Sequence, residues 1–147
     1  MVEVKSIEEI EKELVEDFSL FDSWDEKYEY IIELGKKLPS LDNQFKTDAN
    51  KIKGCQSNVW LTADFIDGKV NFKGDSDSVI VKGLASLLIK VLSGQVPDTI
   101  IKADLDFMNK IGLMQHLAQT RSNGLLAMVK QMKFYAMAFK AKHQNDL

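Results

Sequence analysis

Hydrophobic positions recur with a helical period at the start of the chain. Ile7, Ile10, Leu14 and Phe18 fall on one face, the spacing of an amphipathic helix. Ser6 and Glu9 precede them as a Ser-x-x-Glu capping box, in which each side chain satisfies a free amide of the first turn. Ser23 and Glu26 repeat the device ahead of Tyr28, Ile31 and Ile32, and Pro39 sets the outer limit of this second helix. From Pro39 to Gly54 the pattern is polar and irregular, a long loop leading to a short extended piece. The period then changes to two. Val59, Leu61, Ala63 and Phe65 alternate with Trp60, Thr62 and Asp64, as in a strand. Asp67-Gly68 tolerates the positive φ of a type I′ turn, and a returning strand carries Val70 and Phe72 to about Gly74. Val79 to Ser93 is apolar on most faces and predicts a central helix, with Gly94 placed to cap it. A short helix about Leu105 to Ile111, stopped by Gly112, precedes a last one from about Ser122 to Ala141. The fold class is α+β: a small antiparallel sheet of about three strands with helices packed on it.

Composition narrows the function classes. At 147 residues, 45% hydrophobic and 28% charged, the chain reads as one globular domain over residues 1–147, with no repeat or low-complexity tract. Nineteen basic against 22 acidic residues leave a net charge of −3, which gives no drive towards nucleic acid or anionic membrane. The start, MVEVKSIEEIEKEL, lacks the apolar core of a signal peptide. Lys82 and Lys90 interrupt the most apolar stretch, Val79–Leu92, so no membrane span is expected. The expected setting is cytoplasmic.

Cys55 is the one cysteine. It rules out an internal disulfide and the multi-cysteine sets of structural zinc or iron–sulfur sites. No glycine-rich phosphate loop is present either, so neither a resident metal nor a cofactor is expected. A lone cysteine is commonly a small buried hydrophobe. Against that, Gly54 lets the chain turn sharply and present the next side chain, and Gln56 and Ser57 are polar neighbours that can donate to a thiolate. His116 is either a base within reach of the thiol or a satisfied structural histidine, while His143 lies in a polar tail. A metal site of Cys55, His116 and a carboxylate has no recognisable ligand spacing. The series Met128, Met132 and Met137 reads as core packing, and Trp60 as a core anchor or pocket wall.

Four ordered blocks carry a family resemblance. The run Ile52-Lys53-Gly54-Cys55-Gln56-Ser57-Asn58-Val59-Trp60 resembles the signature of the SufE family of cysteine desulfuration proteins. Trp24-Asp25-Glu26-Lys27-Tyr28, running on to Tyr30–Gly35, is similar to that family's second helix. Gly74-Asp75-Ser76-Asp77 with Ile80–Leu84 resembles its post-hairpin segment. Gln115-His116-Leu117 with Thr120-Arg121-Ser122-Asn123-Gly124-Leu125 resembles its last block. The likeness spans about residues 22–130. Departures are mild: Thr120 stands where serine is common, and the termini are longer and polar.

The resemblance implies a sulfur acceptor of iron–sulfur cluster assembly with a fold like that of the IscU scaffold. Such a protein takes sulfur from a SufS-like cysteine desulfurase as a persulfide on the cysteine matching Cys55. It then hands the sulfur to a SufBCD-like scaffold complex. A lone thiol suits this chemistry, because persulfide transfer needs one nucleophile and no resolving cysteine. The family's cysteine loop is understood to tuck its side chain into an apolar pocket at rest. Burial would leave the thiol inert and exposure on docking would restore it. Arg121 is either a neutralising charge near the thiolate or a surface arginine. Asp75 and Asp77 are partner contacts or helix-capping acids, and Lys51 and Lys53 steer docking or are solvated loop lysines. Two alternatives stay open: an independent cysteine enzyme using Cys55 with His116, and an IscU-like metal or cluster holder.

Overall fold

In a computed structural model, residues 5–143 are described. Helix α1 spans Ile7–Ser19, α2 Trp24–Lys37 and α3 Val79–Leu92, each opened by a serine. The hydroxyls of Ser6, Ser23 and Ser78 accept from the N–H groups of Glu9, Glu26 and Val81 at 3.2, 3.2 and 3.4 Å. Each thereby satisfies one amide that the first helical turn leaves unpaired. In α1 the residues expected on the apolar face, Ile7, Ile10, Leu14 and Phe18, are all buried. In α2 only Ile31 of the expected apolar set is buried.

Strands β1 (Val59–Ile66) and β2 (Lys69–Ser76) form an antiparallel hairpin, in register from Val59 opposite Ser76 to Ile66 opposite Lys69. Asp67 and Gly68 take φ of 53° and 80°, the doubly positive turn that matches the twist of the strands. The sheet has two strands rather than about three. The extended piece before Cys55 shrinks to an isolated bridge, Lys51 to Trp60. There Ile52 donates to the Val59 carbonyl at 2.8 Å and Leu61 to that of Asn50 at 2.9 Å. The turn at Lys53-Gly54 then carries the chain off the ladder before a third strand can grow. A second bridge joins Val70 to Gln95 on the other edge. Gly94, at φ 81°, turns the chain after α3, and its N–H bonds the Val70 carbonyl rather than closing the helix.

The central helix is α3. Nine of its residues are buried, and it packs on α2, α1 and β2. It meets α2 backbone to backbone: a Cβ on Gly83 would lie 2.2 Å from the Ile31 carbonyl oxygen, and one on Gly35 would lie 2.7 Å from the Gly83 nitrogen. Three short helices follow: α4 (Pro97–Lys102), α5 (Phe107–Lys110) and α6 (Leu113–His116). The pattern foresaw only the middle one. The long helix α7 runs Gln119–His143, starting three residues before the expected boundary, and packs on α3, α4 and the hairpin. Its last residue, His143, stacks on Phe65 at 4.5 Å instead of trailing in a tail. Among the described residues no helix is long and apolar enough to cross a membrane. The extreme ends, residues 1–4 and 144–147, lie outside the described residues.

Candidate functional site: a lone thiol seated on a helix

The loop that carries Cys55 is held at both ends by acids from the end of β2 and the turn after it. Asp75 is only 4% exposed. Its carboxylate accepts from the Leu41 N–H at 2.9 Å and the Ser76 N–H at 2.8 Å, and pairs with Lys46 at 3.3 Å and Lys82 at 3.4 Å. Burial alone would push this carboxyl up; the two N–H groups and the two ammonium groups outweigh it and hold it below its ordinary value. Asp75 was expected as a partner contact or helix cap. The structure buries its carboxylate, and the cap of α3 is Ser78 rather than Asp75. Asp77 is exposed and grips Asn58 through both oxygens, accepting from its backbone N–H at 3.1 Å and its side-chain amide at 2.7 Å. Ser76 adds a bond from its hydroxyl to the Asn58 carbonyl at 2.8 Å. Lys46 also lies over the half-buried Trp60 ring at 5.6 Å, so that ring walls the loop rather than anchoring the core.

Between these staples, residues 53–57 arch away from the sheet. Gly54 takes φ 92°, a region that a side chain resists, and brings Cys55 onto α7. The thiol is half-buried and packs against the core. Its Sγ lies 3.7 Å from the Gly124 carbonyl, to which the S–H donates. Burial pushes the Cys55 thiol pKa up, which disfavours the reactive thiolate while the side chain is seated there.

A cavity of about 320 Å³ opens beside the sulfur. Its apolar wall is Val81, Leu84, Leu125 and Met128; its polar rim includes Gln56, Ser57, Thr120 and Arg121. Of the residues expected to support the thiol, Gln56, Ser57 and Arg121 are therefore brought to it. Arg121 is exposed, is the chain's one arginine, and has no ion-pair partner among the described residues. His116 is not brought there. Its ring stacks on Trp24 at 4.3 Å and its Nδ1 lies 3.0 Å from the Gly112 carbonyl oxygen. The Cys55–His116 pairing of the enzyme alternative is thus not formed. Nor do any three His, Cys, Asp or Glu residues among those described converge as a ligand set. Lys51 and Lys53 are exposed and line a second groove, between the loop and Ala127, Lys130 and Phe134 of α7.

Composition gave no hint of Lys46, Lys82 or Gly124. The first two were legible only as loop and helix lysines, and Gly124 stood within the last matched block without an assigned role. These features define a small α+β protein that presents a single thiol from a stapled loop. The family model described as "SufE: Fe-S metabolism associated domain" matches residues 12–136, and the chain belongs to that family.

Relatives agree. An uncharacterized SufE-like protein of Rhizobium meliloti is 40% identical over 126 residues, covering 82% of this chain and 90% of its own length. One from Synechocystis is 41% identical over 127 residues, covering 86% and 80%. SufE-like protein 1, chloroplastic/mitochondrial, of Arabidopsis thaliana is 43% identical over 148 residues; the match spans 98% of this chain but only 40% of the plant protein. The solution structure of a hypothetical protein from Thermus thermophilus superposes with a TM-score of 0.72 at 21% identity, covering 88% of this chain and 94% of that one. That likeness establishes the fold alone.

Proposed function

We propose that this chain is a sulfur acceptor and carrier of iron–sulfur cluster assembly. Cys55 receives a persulfide sulfur from a SufS-like cysteine desulfurase in the cytoplasm, stimulates that enzyme by unloading it, and passes the sulfur to a SufBCD-like scaffold. The observation that carries this reading is the placement of the chain's one thiol: half-buried, beside a cavity, on an arch that turns through the positive φ of Gly54. In the transfer, the Cys55 thiolate attacks the outer sulfur of the donor's Cys–S–SH. A new S–S bond forms to Cys55, the donor's S–S bond breaks, and the donor cysteine leaves as its thiolate. The proton of the Cys55 thiol passes to solvent or to the leaving thiolate, and no net oxidation occurs.

Partial burial raises the pKa of the Cys55 thiol, which supports a gating step in which the arch moves outward when the donor docks. Lys51, just before the arch, and Lys53, its first residue, steer that docking, with Asp77 at its base. Asp75 contributes from inside, by holding the loop. Gln56, Ser57 and Arg121 stand where they can stabilise the exposed sulfur anion. The protein is a carrier rather than an independent enzyme, because Cys55 is modified once per sulfur and must be discharged.

The test is desulfurase turnover, followed as alanine released from cysteine. The chain accelerates turnover, and Cys55→Ser abolishes the acceleration; equal acceleration by both would contradict the reading. Alkylation of Cys55 is also expected to quicken in the presence of desulfurase. Equal rates with and without it would remove the gating step.

A further inference from the structure

Glycine inside a helix costs about 1 kcal/mol relative to alanine. Helix α7 uses alanine freely, at Ala127, Ala136, Ala138 and Ala141, yet places a buried glycine at 124. The space that a side chain would fill is taken by the thiol: a Cβ on Gly124 would lie 3.3 Å from Cys55 Sγ and 3.9 Å from Cys55 Cβ. The same residue's carbonyl accepts the S–H. We infer that Gly124 is a positioning residue for Cys55: its bare backbone is the seat that holds the thiol inward, and a side chain there would lift the thiol towards solvent.

At 3.3 Å one of the two partners must give by a few tenths of an ångström, and compliance decides which. Around Gly124, α7 is fixed by the buried Ser122, Leu125 and Met128. Apart from the Cys55 seat itself the arch is held at its ends, and a Cβ on Gly54 would meet only the Ala127 Cβ, at 3.7 Å. The arch therefore moves. A displacement of this size lengthens the already long 3.7 Å bond to the Gly124 carbonyl; that bond favours the protonated form, so weakening it shifts the balance towards the thiolate. Gly124 thus sets how inert the resting site is, independently of any donor. That this matters for sulfur loading rests on the proposed acceptor role.

The experiment is the pH profile of Cys55 alkylation by iodoacetamide in the wild type, Gly124→Ala and Leu126→Ala, beside their thermal melts. Leu126 is exposed on the same helix and away from the sulfur cavity. For Gly124→Ala we expect a profile about one pKa unit lower, hence roughly tenfold faster alkylation near neutral pH. Its Tm is expected to be unchanged or higher, from the gain in helix propensity. Leu126→Ala leaves rate and profile alone. Combining Gly124→Ala with Cys55→Ala gives a larger Tm gain than the single glycine change, since the crowded sulfur is gone.

A Gly124→Ala rate within about twofold of wild type, or slower, overturns the inference. So does loss of helical signal, which would make Gly124 a packing residue. Desulfurase turnover separates this outcome from that of the acceptor role. Fast alkylation of Gly124→Ala with no stimulation by the wild type leaves the seat standing and removes the role. Stimulation by the wild type with an unchanged Gly124→Ala profile does the reverse.

Discussion

Two places in this molecule depend on glycine for opposite reasons. Where α2 crosses α3, Gly35 and Gly83 bring two backbones together, and a Cβ on Gly83 would sit 2.2 Å from the Ile31 carbonyl oxygen. Where the arch meets α7, a Cβ on Gly124 would sit 3.3 Å from a sulfur on a loop. At the first, both partners are the backbones of fourteen-residue helices and neither yields. At the second, one partner is a short arch anchored, apart from that contact, at its ends. The crossing locks the fold, and the arch keeps one side chain movable within it. The consequence of a missing side chain depends on the stiffness of what faces it.

The comparison breaks most clearly at the crossing. Gly83→Ala must push the helices apart and is expected to cost about 3 kcal/mol or more in a denaturant melt, with Cys55 alkylation altered only through unfolding. Next comes Asp75→Asn, which leaves Lys46 and Lys82 without their carboxylate and should cost about 2 kcal/mol. Its pH dependence has a defined sign. The native carboxyl is held below its ordinary value, so the unfolded chain takes up the proton first as pH falls. Asp75 stabilises fully above the unfolded value of about 3.9, and that share is lost as pH falls through the native value. Asp75→Asn should flatten this acid limb of a stability–pH curve. Gly54→Ala is smaller: φ 92° strains a side chain by about 1–2 kcal/mol. The strain falls on the arch, so the variant should expose the thiol more than it lowers Tm. Gly124→Ala closes the series, with the least effect on stability and a large one on the thiol.

Much of the scaffold was legible because its signals are local. The serines at 6 and 23 mark their helix starts, Asp67-Gly68 marks its turn, and the α1 stripe is buried as spaced. Helices α4 and α6 were not, being six and four residues long and without a local stop signal, whereas the equally short α5 was marked by Gly112 just after it. The third strand failed because the glycine that presents Cys55 also ends the ladder. At the site, Gln56, Ser57 and Arg121 line the cavity beside Cys55; the first two are its neighbours in sequence, and Arg121 is brought there by the start of α7. The inward turn of Asp75, the stacking of His116 on Trp24 and the seating of Cys55 on Gly124 are contacts between distant segments. Composition and periodicity carry no record of those.

The central claim is that Cys55 itself takes the sulfur. Intact mass spectrometry of the chain after incubation with desulfurase and cysteine, beside Cys55→Ser treated identically, tests it most directly. The account predicts a gain of one or more sulfur atoms on the wild type, reversed by dithiothreitol, and none on the variant. An unmodified wild type, or equal gain on both, would contradict it.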